Sequence, residues 1–505
     1  MKRLLLIYIL ILCYGVCCAQ SEFDKEFEEF KKQTLCEFDD FKKKCNEEYI
    51  EHLKKTWKEF NSLTPIPLPK DTLTVPPVIY EEEKPKEEIE NKELLNKNIV
   101  IPEPTVTEPV PEESIVAPEP PIVEIEPEEP IFIDEIWEKD KDTYSFSFYG
   151  TEASIHMGQE HSFKLQACNN CNVASAWEFC SNNYDDIVSE CLELQKKHNL
   201  CDWGYLQMIK KMSEQFYGAR TNEATLMTSY IYCLSGYKAK MGISNGRLYL
   251  LVACEHQIYG KRYFDINGEK YYPIDCEEDG MKICDADFKG SKPLSLWINR
   301  TPNLEYANCD TTRQLKSKRY PNMAISVNVN KNLMDFYSDY PASEMGSDFM
   351  TKWVVYANNP LSNKIKEQIY PALKESLQGK EKLEQVNMLL NFVQTAFVYE
   401  YDEKVWGYDR SFFSEETLYY KYCDCEDRSI LFSRLVRDIL GLKVMLVYYP
   451  GHIATAVCID EQAHGDFVEM NNEKYTICDP TYINAPVGTS MPELRDLNIT
   501  LTLLK

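Results

Sequence analysis

The stretch YCDCEDRS, residues Tyr422–Ser429, determines how the last third of the chain is interpreted. A largely apolar run, Ile430–Val436, follows it at once. This order predicts a buried helix that carries Cys425 in its first turn, continues to about Leu440 and is ended by Gly441. The aligned N–H groups at a helix N-terminus favour a thiolate, so we expect the pKa of Cys425 to be lowered.

A histidine and an aspartate follow Cys425 at equal spacing. His452 lies 27 residues after the cysteine, in GHIATAV, and Asp479 lies another 27 residues on, in ICDPT. Apolar patterning predicts strands over residues 443–448, 452–459 and 475–479. Cys425, His452 and Asp479 therefore have the types and the order of a thiol nucleophile, its base and an orienting carboxylate. The N–H of Cys425 itself can supply half of an oxyanion hole.

Residues 383–492 resemble the transglutaminase-like (transglutaminase/cysteine-peptidase) superfamily in three motifs. The matches are Asp424–Ser429 at a helix start, Gly451–His452 at a strand start and Asp479–Thr481 at a strand end. The resemblance implies a papain/transglutaminase-like fold, in which the cysteine helix packs on an antiparallel sheet. It also implies acyl transfer through a thioester, from a glutamine or peptide amide to water or an amine. No metal or cofactor is required by such a site.

Two further residues take roles only from this resemblance. The family has glycine where this chain has Cys423, which either fills a small site or forms a disulfide that gates Cys425. Family members often place a tryptophan near the oxyanion, and Trp406 is the candidate here. Its alternative role is a core or groove wall.

The sequence also predicts a second, silent copy at about residues 175–280. When residues 220–247 are laid on 425–452 without a gap, Arg220 falls at the nucleophile position and Arg247 at the base position. Asp275, at the end of the next acidic strand, keeps the residue type of Asp479. Arginine can neither attack a carbonyl nor act as a base at neutral pH, so this copy would be inactive. It would serve as a scaffold or a ligand groove.

Composition limits the classes of function. A chain of 505 residues with a net charge of −26 should form two to four domains and lacks the basic surface that nucleic acid needs. Met1–Arg3, the apolar run to Val16 and a small-residue site before Gln20 predict a cleaved signal peptide. A secreted or periplasmic protein is therefore expected, with lipidation of Cys17 or Cys18 as a minor alternative. No later apolar run is long enough to span a bilayer, so no transmembrane segment is expected in the mature chain.

Two unusual segments follow the predicted signal peptide. Aromatic residues recur every eleventh position over residues 22–60, which predicts a long amphipathic helix. The helix would self-associate, pair with a partner helix or lie along the body of the protein. Residues 63–130 hold fifteen of the twenty-six prolines together with many glutamates, a composition typical of a disordered spacer.

The sequence thus predicts an α+β protein of several parts. The boundaries are 1–19 signal peptide, 20–62 helix, 63–135 linker, 136–290 degenerate transglutaminase-like domain, 291–350 β-rich insert and 351–505 catalytic domain. The favoured function is cysteine-dependent acyl transfer or hydrolysis on protein or peptide substrates. The alternative is a non-catalytic peptide-binding or envelope-organising protein.

Overall fold

Helices and mainly antiparallel sheets make up the chain, which confirms the α+β class. The computed structural model describes residues 42–68, 79–80, 105–107, 143–298, 300–309, 312–346, 348–459 and 463–505. The predicted signal peptide and the first repeats of the predicted helix lie outside these residues. Among the described helices, none combines the length and the apolar character that crossing a bilayer requires.

The helices differ widely in length, from one turn to more than four. They are α1 (residues 42–54), α2 (Asn170–Asn183), α3 (Asp185–Lys197), α4 (Asp202–Tyr217), α5 (Asn222–Leu234), α6 (Lys331–Ser338), α7 (Thr351–Asn358), α8 (Asn363–Leu377), α9 (Lys382–Ala396), α10 (Asp402–Val405), α11 (Ser414–Tyr419) and α12 (Cys425–Leu435).

The strands are mostly short. They are β1 (Lys58–Asn61), β2 (Thr105–Thr107), β3 (Thr143–Phe148), β4 (Thr151–His156), β5 (Ala239–Ser244), β6 (Arg247–Ala253), β7 (His256–Ile258), β8 (Phe264–Ile266), β9 (Glu269–Pro273), β10 (Gly280–Ile283), β11 (Arg313–Lys316), β12 (Ala324–Val327), β13 (Ser343–Met345), β14 (Val398–Tyr399), β15 (Tyr422–Cys423), β16 (Val444–Tyr449), β17 (His452–Cys458), β18 (Phe467–Met470), β19 (Glu473–Cys478) and β20 (Thr500–Leu503).

Two six-stranded sheets share one strand order. The first runs β1-β10-β5-β6-β9-β8 and the second β2-β20-β16-β17-β19-β18. Their central hairpins also share a register, because Ser244 pairs with Arg247 in the first and Tyr449 pairs with His452 in the second. The register of the β6–β9 pair is also the same as that of the β17–β19 pair. The outer edges differ, since β1 is antiparallel to β10 whereas β2 is parallel to β20.

Both sheets direct one face into a common hydrophobic core. Leu250 of β6 and Ile453 of β17 belong to the same buried cluster, together with apolar residues of α5 and α12. The next residue along each strand, Leu251 or Ala454, belongs to a separate cluster on the opposite face. This alternation is the one that a pleated strand imposes. Helices α5 and α12 therefore occupy corresponding places against the two sheets.

The N-terminal helix is shorter than the eleven-residue repeat predicts. Helix α1 ends at residue 54, and Phe60, assigned to the helix by the repeat, lies in strand β1. The predicted end at residue 62 is wrong because β1 pairs with β10 and extends the first sheet. Tyr49 of α1 packs against Trp177 and Phe288, with ring centroids 4.8 and 5.6 Å apart. Three packing arrangements were predicted for this helix, and its described part adopts the one in which it lies along the body of the protein.

Parts of the proline-rich segment contact the folded body. Leu63 bridges to Tyr263, Ile79 bridges to Ile483, and β2 lies at the edge of the second sheet. The prediction of a spacer without structure over 63–135 is therefore wrong for these short pieces, and the remainder, except residues 64–68 and Tyr80, lies outside the described residues.

The region between the two sheet units is less β-rich than expected. Between residues 291 and 350, the hairpin β11–β12 precedes helix α6, and β13 pairs with β7 of the first unit. The strand predicted at 294–298 is reduced to an isolated bridge between Leu294 and Cys254. Helix α6 is anchored by Asn330, whose side chain accepts from the N–H of Asn332.

Candidate active site

The three predicted catalytic residues lie on three adjacent elements of the second unit. Cys425 is the first residue of α12, His452 is the first residue of β17, and Asp479 follows directly after β19. Strands β17 and β19 are paired neighbours. The hydroxyl of Ser429 on α12 donates to the carbonyl of Ile453 on β17 at 3.1 Å. The start of α12, the start of β17 and the end of β19 are thereby held together.

His452 and Asp479 form a buried pair. The imidazole Nε2 lies 3.0 Å from Oδ2 of Asp479, and the two residues are 0% and 2% exposed. The other carboxylate oxygen, Oδ1, accepts the N–H groups of Thr481 at 2.8 Å and Tyr482 at 3.1 Å. Because both oxygens are engaged, the carboxylate holds the ring in one orientation and assigns the proton to Nε2.

The second ring nitrogen of His452, Nδ1, is buried and has no hydrogen-bond partner among the residues that the structure describes. The backbone N–H of Ile453, the residue that follows His452, acts to lower the pKa of the Cys425 thiol, although burial outweighs it. The thiol and the imidazole therefore belong to neighbouring elements, α12 and β17. A movement that brings the sulfur within hydrogen-bond distance of Nδ1 would let the thiol proton pass to it, with Asp479 stabilising the resulting imidazolium.

The thiol of Cys425 is buried in this structure, and this changes the expectation for its pKa. Cys425 is 1% exposed, and burial raises its pKa well above the ordinary value, with Glu426 and Asp424 adding to the rise. The sulfur lies 3.4 Å from Oε2 of Glu426, which is placed to accept the S–H. The lowered pKa expected from the helix N-terminus is therefore wrong for this arrangement, because desolvation and two adjacent carboxyl groups outweigh the aligned N–H groups.

A buried cluster of acidic residues surrounds the start of α12. Carboxylate oxygens of Asp402, Asp424 and Asp427 lie within 4.8 Å of one another, as do those of Asp402, Asp409 and Glu426. Burial raises the pKa of Asp402 to about 8, and it raises the pKa values of Asp424, Glu426 and Asp427 as well. Burial therefore favours the uncharged form of each of these carboxyl groups, whereas a bound cation would favour the charged form.

The sequence prediction named no metal ligand, and it missed this cluster. One buried cation, Lys352, pairs with Asp409 at 2.9 Å. No described residue donates a hydrogen bond to Oδ1 of Asp424 or to Oε1 of Glu426. Oxygen ligands of this kind suit a hard divalent cation. The adjacency of Asp424, Glu426 and Asp427 is visible in the sequence, but no local signal brings Asp402 to them.

Gln394 of α9 holds the loop that carries Asp479, a role that sequence reasoning also missed. Its side chain is buried. Its Nε2 donates to the carbonyls of Asp479 at 3.0 Å, Tyr482 at 2.8 Å and Ala485 at 3.1 Å. Its Oε1 accepts the N–H of Asn484 at 3.1 Å. A single amide thus satisfies four backbone groups of one turn.

Arg428 fixes the same loop from the other side. Although charged, it is only 1% exposed. Its guanidinium donates to the carbonyls of Gln394 at 3.3 Å, Phe397 at 3.1 Å and Pro480 at 3.5 Å, and lies 5.3 Å from the ring centre of Tyr399. Arg428 therefore joins α12, α9 and the turn after β19.

The two residues assigned from the family resemblance have different surroundings. Trp406 follows α10, and its ring contacts Phe412, Tyr420 and the guanidinium of Arg410, which lies 4.5 Å from the ring centre. These contacts are those of a wall residue, and its oxyanion role stays a prediction. Cys423 is a buried free thiol whose pKa burial raises to about 11. Its gating role likewise stays a prediction.

The three corresponding residues of the first unit meet at one cavity. Arg220, Arg247 and Asp275 all line a small, partly open cavity of about 30 Å³. Arg247 is the first residue of β6, as His452 is of β17. The helix starts do not coincide, because α5 begins two residues after Arg220, whereas Cys425 is the first residue of α12.

The chain matches no family model, no curated protein and no solved structure.

Proposed function

We propose that the chain is a cysteine-dependent acyltransferase or hydrolase that acts on protein or peptide amides. In this proposal, residues 351–505 form a papain/transglutaminase-like catalytic domain and residues 136–290 a degenerate copy of it. The observation that carries the proposal is the buried His452–Asp479 pair on the strand that packs against the start of the Cys425 helix. The matching strand order and register of the two sheets support the duplication. Export to the periplasm or the exterior remains the expectation from the N-terminal sequence.

The reaction follows from the roles of these side chains. The thiol of Cys425 gives its proton to Nδ1 of His452, and the sulfur attacks the amide carbonyl carbon. The imidazolium then returns the proton to the leaving amine as the carbon–nitrogen bond breaks, which leaves a thioester. Water or an acceptor amine, deprotonated by His452, attacks the thioester carbon. The carbon–sulfur bond breaks, and the proton held on the imidazole restores the thiol.

One observation favours the rival, non-catalytic function. Cys425 is almost fully buried and its pKa is raised, so the arrangement described is a resting one. Catalysis requires the covering side chains to move, so that a substrate and the imidazole of His452 can both reach the sulfur. A binding protein built on the same framework would not need either change.

Alkylation of the full-length protein separates the two functions. Cys423 is the matched control, because it lies two residues from Cys425, is equally buried and has no adjacent imidazole pair. With iodoacetamide at neutral pH and mass spectrometry of the peptides, we expect Cys425 to react much faster than Cys423. In a His452→Gln variant the two rates should become similar. An intact protein in which Cys425 reacts no faster than Cys423 would overturn the proposal.

Product analysis then distinguishes hydrolysis from transfer. A glutamine-containing peptide is supplied with and without a fluorescent primary amine. Ammonia released without amine incorporation indicates hydrolysis, whereas amine incorporation indicates transfer. Both signals should be absent from a Cys425→Ser variant.

A further inference from the structure

The cavity of the first unit occupies the place that the candidate active site occupies in the second. It lies where α5, the start of β6 and the end of β9 meet. Five of its lining residues are charged: Lys210, Glu214, Arg220, Arg247 and Asp275. Unlike the thiol site, it is open to solvent and is lined by cationic groups.

The charges in the cavity are unequally paired. Lys210 binds both acidic residues, with Nζ 2.7 Å from Asp275 and 3.4 Å from Glu214. No described carboxylate pairs with Arg220 or Arg247. The cavity therefore carries three cations and two anions, an excess of one positive charge, in a chain whose net charge is −26. Such a local excess attracts a ligand with one negative charge.

The side chain of Arg247 has a buried N–H group, at Nε, that is not matched by a hydrogen-bond acceptor among the described residues. Its guanidinium lies 5.2 Å from the ring centre of Tyr249, so the aromatic ring supports one face and leaves the N–H edge to make contacts. A buried guanidinium N–H without an acceptor is unfavourable, and a bound carboxylate would satisfy it through two parallel hydrogen bonds.

We infer that this cavity binds the C-terminal carboxylate of a peptide. A phosphate group fits less well, because its second negative charge would be placed near Asp275 and Glu214. The residues that abolish catalysis in this unit would then give it a binding function. The inference rests on the charges of the cavity and holds whether or not Cys425 is catalytic.

The test measures binding to the full-length protein carrying Cys425→Ser, so that no turnover interferes. The probes are acetyl-dialanine with a free C-terminal carboxylate, the same peptide as its C-terminal amide, and inorganic phosphate. We expect the free acid to bind in a titration followed by ligand-observed NMR, and the amide to bind at least about tenfold more weakly.

Substitutions locate the binding to the cavity. Arg247→Gln and Arg220→Gln should each weaken binding of the free acid by about tenfold, and Arg247→Lys should fail to restore it because lysine lacks the planar fork. Lys211→Gln is the matched control, since Lys211 is an exposed neighbour of Lys210 on α4 outside the cavity. Circular dichroism verifies that each variant is folded.

Three results would overturn the inference: no binding of the free acid, equal binding of acid and amide, or phosphate binding more tightly than the peptide acid. Binding that persists unchanged in the two arginine variants would also overturn it. The alkylation ratio of Cys425 to Cys423 is measured on the wild-type protein, so failure of the proposed catalysis is detected separately.

Discussion

Replacing Asp402 by asparagine should make the protein more stable at neutral pH. Asp402 is 5% exposed, and its carboxylate lies within 4.8 Å of those of Asp424 and Asp427. Its Oδ2 accepts the N–H of Arg410 at 2.6 Å. Asparagine preserves the shape of the side chain and this acceptor, and it removes the ionisable proton.

The sign of the effect follows from the raised pKa. Burial, followed by the charge of Glu426, raises the pKa of Asp402 from its ordinary 3.8 to about 8. The folded protein therefore retains a proton that the unfolded chain loses above about pH 4. The stability contributed by this proton is fully present below about pH 4 and is lost as the pH rises towards 8. At about pH 7 the loss is roughly 4 kcal/mol, from ~1.4 kcal/mol per pH interval over about three intervals.

The asparagine variant does not experience this loss. We expect its free energy of unfolding to exceed that of the wild type by up to about 4 kcal/mol near pH 7 and to approach the wild-type value near pH 4. Urea unfolding at a series of pH values measures the difference. Asp335→Asn is the control, because Asp335 is half exposed and pairs with Lys331 on the surface of α6, so its effect should be small throughout. A pH-independent difference, or a wild type that is more stable than the variant at pH 7, would refute the reasoning.

Three further predictions concern the candidate site. Asp479→Asn should lower the alkylation rate of Cys425 by at least about a hundredfold, because the amide cannot stabilise the imidazolium of His452; an unchanged rate measured by mass spectrometry would contradict this role. Gln394→Met removes four buried hydrogen bonds of the turn after β19 and should lower the free energy of unfolding by roughly 4 kcal/mol, whereas exposed Gln378→Met should have little effect in the same urea assay. Chelation by EDTA should leave the alkylation rate of Cys425 unchanged, since thiol, imidazole and carboxylate suffice for the proposed chemistry; a rate that changes on chelation and returns with added calcium would show that the acidic cluster holds a cation that the site needs.

The sequence located the candidate site because its signals are local. Helix α12 begins at Cys425, continues as a π-helical turn from Val436 to Leu440, and ends at Gly441, whose φ of +67° suits glycine. The alternation of apolar residues predicted β16, β17 and β19 to within two residues. Once these elements pair in order, His452 and Asp479 meet as a consequence of strand geometry.

The sequence did not indicate the electrostatic environment of the thiol. The pKa of Cys425 depends on how deeply the helix start is buried and on which carboxyl groups lie near it. Asp402 reaches the cluster from a different segment, between β14 and α11, so no spacing rule anticipates its contact with Asp424. Tertiary contact likewise ended the eleven-residue repeat, because β10 offers hydrogen bonds to Phe60 that a continued helix would not use.

The gapless alignment of the two units predicted the start of β6 correctly but not the start of α5. It aligned Arg220 with Cys425, but helix α5 begins two residues later than this register implies. Thr221 caps that helix by accepting the N–H of Ala224, so Arg220 lies in the preceding turn. The alignment of Arg247 with His452 agrees with the structure because both residues open the second strand of a hairpin with the same register.

The two sheet units carry different side chains at corresponding positions. A helix start, a strand start and a neighbouring strand end converge at the same place in both sheets, whatever side chains they carry. In the second unit these positions carry a thiol, an imidazole and a carboxylate, and the site is buried, as proton transfer between weakly solvated groups requires. In the first unit two of them carry guanidinium groups, whose full burial is costly, and Arg220 is exposed and Arg247 partly exposed at an open cavity. The difference in exposure between the two sites is thus the one that their residue types lead us to expect.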